Sequence, residues 1–230
     1  MMWKLVPIKQ ERLISRAGRI FKKEGLAGLL SRTLTIPNRV VTFFEYKQFY
    51  IFEHEAIERN EADYVARIPN LDFHVVTSNQ QAEELAKTGL DVYSQSEYTP
   101  ESGHTRRRLD TGAIAFCGFV DHKLCHIGWL ALDENAKNTF DPWPYPVDFP
   151  RQACCGGTRT LPKFEGKGLM SYGYYKRLEY LRQIGVPKSR NVVEASNIAS
   201  LKVHEKFSRR KFRGHCLKIG WWRVWHETPL

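Results

Sequence analysis

The chain has 230 residues, 42% of them hydrophobic, and a formal net charge of +10, which suits one domain plus an appendage and is enough to bury a core. No apolar run approaches the ~20 residues that span a bilayer, and neither an internal repeat nor a low-complexity stretch is present. Five cysteines without a CxxC pair argue against a disulfide framework and predict a reducing, cytoplasmic setting, and no segment reads as a secretory leader.

Residues 1–40 carry nine Lys or Arg against two Glu, so most of the excess charge belongs to an N-terminal arm. From residue 8 to about 32, Leu13, Ala17, Ile20 and Phe21 share one helical face and Arg12, Arg16, Arg19, Lys22 and Lys23 the other. This predicts a basic amphipathic helix, whole or broken near Gly25 and Gly28. Its apolar face either packs on the domain or, through residues 1–33, lies on an anionic membrane surface, which would make the protein peripheral to the inner membrane face. Aromatics are not interleaved with the Lys/Arg face, so nucleic acid is not an expected partner.

Residues 41–230 then read as one domain. Phe43 to Phe52, rich in aromatic and β-branched residues, predicts a first strand, and Phe73 to Thr77 a second. A helix follows from Gln80 to Lys87, capped by Ser78 or Asn79 and stopped by Gly89. Tyr93 to Asp110 reads as a long loop closed by Arg106-Arg107-Arg108, a solvated face or a means of recruiting an anionic group. Gly112 to Val120 and Leu124 to Leu132, around Asp121-His122-Lys123, predict an antiparallel hairpin. His122, Cys125 and His126 have no second ligand pair nearby, so no metal site is expected. Asp141 to Pro150 holds four prolines and cannot pair as a central strand; its Trp143 and Tyr145 either line a pocket or cover the core.

The densest signal lies between Cys154 and Phe212. Ala153 to Leu161 is β-rich, with Gly156-Gly157 suggesting a bulge or close approach. Pro162, Gly166 and Gly168 then turn the chain into a helix, whose stripe is Met170, Tyr174, Leu178 and Leu181, with Arg177 snorkelling from its edge. A glycine turn feeding a helix N-terminus aims free N–H groups at an anion such as a diphosphate. After Gly185 and Pro187, Asn191 to Ala195 reads as a buried strand, Asn197 caps a helix from Ile198 to about Arg209, and His215 to Trp225 reads as strand material turning at Gly220.

Glu165-Gly166-Lys167-Gly168-Leu169-Met170 resembles the Arg/Gln-x-x-Gly-x-Gly/Ala turn of the GNAT superfamily of acyl-CoA-dependent N-acyltransferases. Asn197 through Lys206 is similar to that family's Asn-x-x-Ser/Ala-x-x-x-Tyr-Glu-Lys segment. Glu165 stands where the family has Arg or Gln, Met170 where it has a second small residue, and His204 where it has tyrosine. The resemblance covers roughly residues 112–225. It implies an α/β (α+β) fold, a mixed, mostly antiparallel sheet flanked by helices, with the N-terminal helical extension added.

It also implies acetyl-CoA or another acyl-CoA as co-substrate and a primary amine as acceptor, small or conjugated. The diphosphate would lie on the backbone of Glu165, Gly166, Lys167, Gly168, Leu169, Met170 and Ser171, and the pantetheine arm on Thr160 and Asn197. The Thr158 amide would face the thioester oxygen. The amine would attack directly through a tetrahedral intermediate, with His204 as acid, near an ordinary imidazole pKa of ~6.5, and Glu194 as candidate base. A GNAT-fold module that binds CoA without turnover is the alternative.

Overall fold

The structure, a computed structural model, describes residues 4–7, 44–94, 102–149, 151–220 and 222–230. Its strands are β1 (Lys4–Pro7), β2 (Phe44–Glu55), β3 (Leu71–Val76), β4 (Ile114–Val120), β5 (Lys123–Ala131), β6 (Gln152–Thr160), β7 (Lys188–Glu194), β8 (Arg210–Ile219) and β9 (Trp222–Pro229). They form one sheet in the order β1-β9-β8-β2-β7-β6-β5-β4-β3. All neighbours are antiparallel except β6 and β7. The helices are α1 (Asn79–Lys87), α2 (Ser102–Asp110), α3 (Glu134–Lys137), α4 (Leu169–Gln183) and α5 (Ile198–His204). The mixed, mostly antiparallel sheet flanked by helices expected from the sequence is the fold the chain adopts.

Helices cover both faces, and that is why β4 (IAFCGFV) is apolar and buried at every position rather than alternating. On one face Ala82 of α1 and Leu109 of α2 pack with Trp129, Ala131 and Cys154. On the other, Tyr174, Leu178 and Leu181 of α4 pack with Ile114, Leu130, Ala153 and Cys155. Cys154 and Cys155 therefore face opposite ways, as the pleat requires. The β4–β5 hairpin turns on Asp121 and His122 at φ 49° and 61°, the two left-handed residues of a tight hairpin turn. Ser78 caps α1 by accepting from the Gln81 N–H.

Three expectations are corrected. The stretch from Tyr93 to Asp110 is not all loop, because α2 occupies its end. Ser102-Gly103-His104-Thr105 has poor helix propensity, but Thr105 and Leu109, four residues apart, are both buried, and packing of that stripe overrides propensity. Arg177 does not snorkel: its side chain is fully buried. Helix α5 ends at His204 rather than near Arg209, because the Lys206 and Phe207 N–H groups tighten into i→i−3 bonds to the Val203 and His204 carbonyls and Phe207 packs against Tyr64 and Tyr174.

The amphipathic helix expected over residues 8–32 lies outside the described residues, while Lys4–Pro7 of the same arm pairs with β9. Among the described residues no helix is long and apolar enough to cross a membrane.

Candidate functional site

The site begins as an irregularity in β6. Trp129 pairs with Gly156 and Ile127 with Arg159, so β6 carries one residue more than β5 across that interval and bulges. Gly157 takes φ 56° there, and a Cβ on it would stand 3.0 Å from Trp129 and 3.1 Å from Phe140. Only glycine satisfies both demands. The expected bulge at Gly156-Gly157 is thus present, and its cause is local.

On its other edge β6 pairs with β7 only at Gln152–Lys188 and Ala153–Ser189, although the strands run on to Thr160 and Glu194. The pairing ends in a specific way. The Cys155 N–H donates to the side-chain Oδ1 of Asn191 at 2.8 Å, so an amide side chain replaces the carbonyl that a continuing ladder would supply. Tyr174 and Ser189 hold the Asn191 Nδ2 from behind. With its last buried donor satisfied, β6 can diverge from β7 without leaving an orphaned N–H.

The divergence leads to the turn before α4. Gly166 has φ 73° and Gly168, the N-cap, φ 90°. Among the described residues no backbone carbonyl or side chain accepts from the N–H groups of Gly166 through Ser171; the first bond into the helix is Tyr172 N–H to Gly168 O. Nothing lies within 4 Å of where a Gly166 Cβ would be. The Arg67 N–H braces the turn through the Lys167 carbonyl, Leu169 anchors it among Ala66, Val120, Cys125 and Phe164, and Met170 is half-buried. Lys206 Nζ donates to Ser171 Oγ at 3.1 Å, bringing a cation to the positive end of the helix dipole. Such a cradle suits a diphosphate.

A cavity of about 390 Å³ lies against the bulge, walled by Thr105 and Arg108 of α2, floored by Trp129, and bordered by Gly157, Thr158 and Glu165. It is large enough for a small-molecule group. Trp143 and Tyr145 do not line it. Tyr145 is buried, donating to Asp141 at 2.8 Å, and Trp143 packs on Phe49, so both cover the core.

The remaining expected residues are distributed unevenly. Thr158 Oγ1 accepts from Arg177 at 3.1 Å, and Thr160 Oγ1 is 2.8 Å from His126 Nδ1; both side chains thus point to the α4 face, beside the divergence. Asn197 caps α5, accepting from the Ser200 N–H. Glu194 ends β7 in an ion pair with Lys47 at 3.2 Å. His204 departs from what was expected of it. Its ring is buried, hydrogen-bonded through Nδ1 to His54 Nε2 at 2.9 Å, and packed among Phe52, Tyr174 and His54. Burial, with the nearby Arg177 charge second, lowers its pKa to about 3. An imidazole that is neutral at working pH does not serve as the acid, so the assumed ordinary pKa is corrected.

Sequence reasoning missed three contributors: Asn191 as the wedge, Lys206 at the cradle, and Arg177 beneath the bulge. The signal for the last was available in Gly128, since a glycine inside a strand marks the close approach of something large. A Cβ there would lie 3.0 Å from the Arg177 Cζ.

No protein-family model matches the chain, and no curated protein matches its sequence. Among solved structures it is similar to a protein assigned to the GNAT acetyltransferases from Novosphingobium aromaticivorans, with 12% identity and a TM-score of 0.46 over 81% of this chain and 68% of that one. It is similar also to GNAT-family acetyltransferases from Colwellia psychrerythraea, with 11% identity, TM-score 0.43 and coverage of 81% and 57%, and from Streptococcus pneumoniae, with 12%, 0.43, 69% and 99%. The chain spans little more than half the length of the Colwellia protein.

Proposed function

We propose that the protein is an acyl-CoA-dependent N-acyltransferase of the GNAT kind, moving an acetyl or other acyl group to a primary amine. The observation that carries this reading is the continuity of one feature: a parallel strand pair that parts beside a bulge and opens toward a turn whose six consecutive amides have no acceptor among the described residues. That arrangement offers a place for each portion of acyl-CoA. The amides of Gly166 to Ser171, with Lys206 beside them, would take the diphosphate. The space between β6 and β7 past Asn191 would take the pantetheine arm, and the bulge at Gly157-Thr158 the thioester. The 390 Å³ cavity meets the bulge from the α2 face and is the place for the amine.

With the thioester there, backbone donors at the bulge polarise its carbonyl, an effect worth on the order of 3 kcal/mol when one such donor is removed. The acceptor nitrogen adds as a neutral amine, and the thiolate is the leaving group. Glu194 remains the proposed base, acting from the end of β7. With His204 buried and its pKa lowered, no residue is assigned as the acid. The neutrality of that ring favours a second reading, a module that binds CoA without turnover.

Calorimetry and thiol release test the two together. Wild-type protein binds acetyl-CoA or CoA, and Gly168→Val, which forces a β-branched residue to φ 90° at the cradle, weakens binding roughly tenfold or more. Absence of heat with acyl-CoA and CoA alike defeats both readings. Binding without thiol release across a mixed set of amines leaves the non-catalytic module.

A further inference from the structure

Arg177 is fully buried on α4, its guanidinium filling the space left by the missing side chain of Gly128. Nε donates to the Gly173 carbonyl at 3.1 Å and Nη1 to Thr158 Oγ1 at 3.1 Å, while Nη2, though buried, has no hydrogen-bond partner among the described residues. Among the described residues no carboxylate forms an ion pair with it; its Cζ lies 4.7 Å over the Tyr174 ring, and its charge bears on His54, His126, His204, Cys155 and Tyr174. Burial holds the three imidazoles below their usual range and the thiol and phenol above theirs, so every one of these neighbours is neutral at pH 7. A buried cation without a counter-ion is costly, and folded proteins normally pair it. Here the sequence keeps it, and keeps two glycines around it: a Cβ at Gly173 would collide with His126, and one at Gly128 with Arg177 itself.

We propose that Arg177 is a positioning residue for negative charge: lodged under the β6 bulge without a carboxylate, it acts through Thr158 to stabilise an anionic group of a ligand bound at that bulge. This rests on the acyltransferase reading for the identity of the anion. As the amine lone pair forms the new C–N bond, the π pair of the thioester carbonyl moves onto oxygen. That pair then re-forms the carbonyl, the C–S bond breaks with its electrons on sulfur, and the nitrogen gives its proton to Glu194, the base proposed above. Negative charge stands first on oxygen and then on sulfur, both beside the bulge, and the fixed cation favours each over the neutral thioester. Nη2, buried and without a hydrogen-bond partner among the described residues, leaves that charge uncommitted elsewhere.

The test compares wild type with Arg177→Met and Arg177→Lys in thermal unfolding and in steady-state acyl transfer. Met removes the charge while filling the volume. It is expected to melt at the wild-type temperature or above, to lose kcat by roughly 30- to 100-fold, and to hold KM for acyl-CoA within about threefold. Lys, which restores a charge without the fork, is expected to recover at least about tenfold of the lost kcat. A Met variant that melts well below wild type while keeping kcat within about threefold makes Arg177 a structural strut and overturns the proposal, as does a Lys variant no faster than Met. If wild type releases no thiol from any acyl-CoA, the acyltransferase reading fails by itself. Unfolding then still decides Arg177: a Met variant at least as stable as wild type keeps the reserved charge, and a less stable one removes it.

Discussion

His54 and His204 illustrate how far one side chain's chemistry depends on its surroundings. His204 falls at the position where the family motif carries tyrosine, and an isolated imidazole titrates close to neutrality. Enclosed by Phe52, Tyr174 and a second histidine, it is held neutral at pH 7 and packs as a buried ring with one hydrogen bond to satisfy. His204→Phe should therefore leave the pH dependence of turnover unchanged between pH 6 and 9, while leaving His54 Nε2 without its partner and costing about 1–3 kcal/mol of stability. A flattened or shifted pH–rate profile with stability intact would return the residue to the chemistry. Nothing in the order of residues distinguishes a histidine facing a substrate from one facing another histidine.

At the scale of elements, β6 and α4 make a single device. Gly156-Gly157 bulges the strand and Gly168 starts the helix with its amides bare, both within one strand–turn–helix passage, and Asn191 on the following strand β7 ends the parallel pairing. The glycines were legible in the sequence because glycine has few other reasons to occur there. Asn191 was not, since an asparagine in a strand gives no hint that its side chain stands in for a backbone carbonyl.

Helix α2 was hidden for a different reason: its residues favour a loop locally and become helical because Thr105 and Leu109 are needed to close the core over β4. Leu109→Ala should accordingly lose about 2–4 kcal/mol in denaturant unfolding. Arg107→Ala, on the exposed side of the same helix, should stay within about 0.5 kcal/mol of wild type. Equal effects from the two would mean that α2 does not cover the core.

For the whole molecule, the buried histidines set a limit in acid. His126 and His204 are lowered to about 3, and His54 well below its usual value, chiefly by burial. Because the unfolded chain titrates them near ~6.5, it binds protons that the folded chain refuses. Their contribution is complete above that value and is lost as pH falls toward 3, on the order of 1 kcal/mol per pH unit for each ring. Glu53, whose pKa is lowered from 4.5 by Arg190 and other partners against its own burial, loses its contribution only below that value. Buried Asp141, whose carboxyl is raised above its usual 3.8 chiefly by burial, acts with the opposite sign, so urea midpoints measured from pH 7.5 to 5 report the three histidines net of that one group and should fall. A flat curve would mean that these rings are solvated.

The resemblance of the Glu165 to Met170 and Asn197 to Lys206 segments implied the class of fold, and the sequence by itself determined most strands of the central sheet, the hairpin at Asp121-His122 and the glycine turn into α4. Each follows from short-range causes: side-chain periodicity, the φ freedom of glycine and the missing N–H of proline. Tertiary structure alone decided that Arg177 lies buried without a carboxylate partner among the described residues, that His204 is neutral, that α2 is a helix and that β6 parts from β7 at Asn191. These are properties of the space between elements. Burial, the sum of surrounding charge and the partner of a given donor come into being only when segments distant in the chain are brought together.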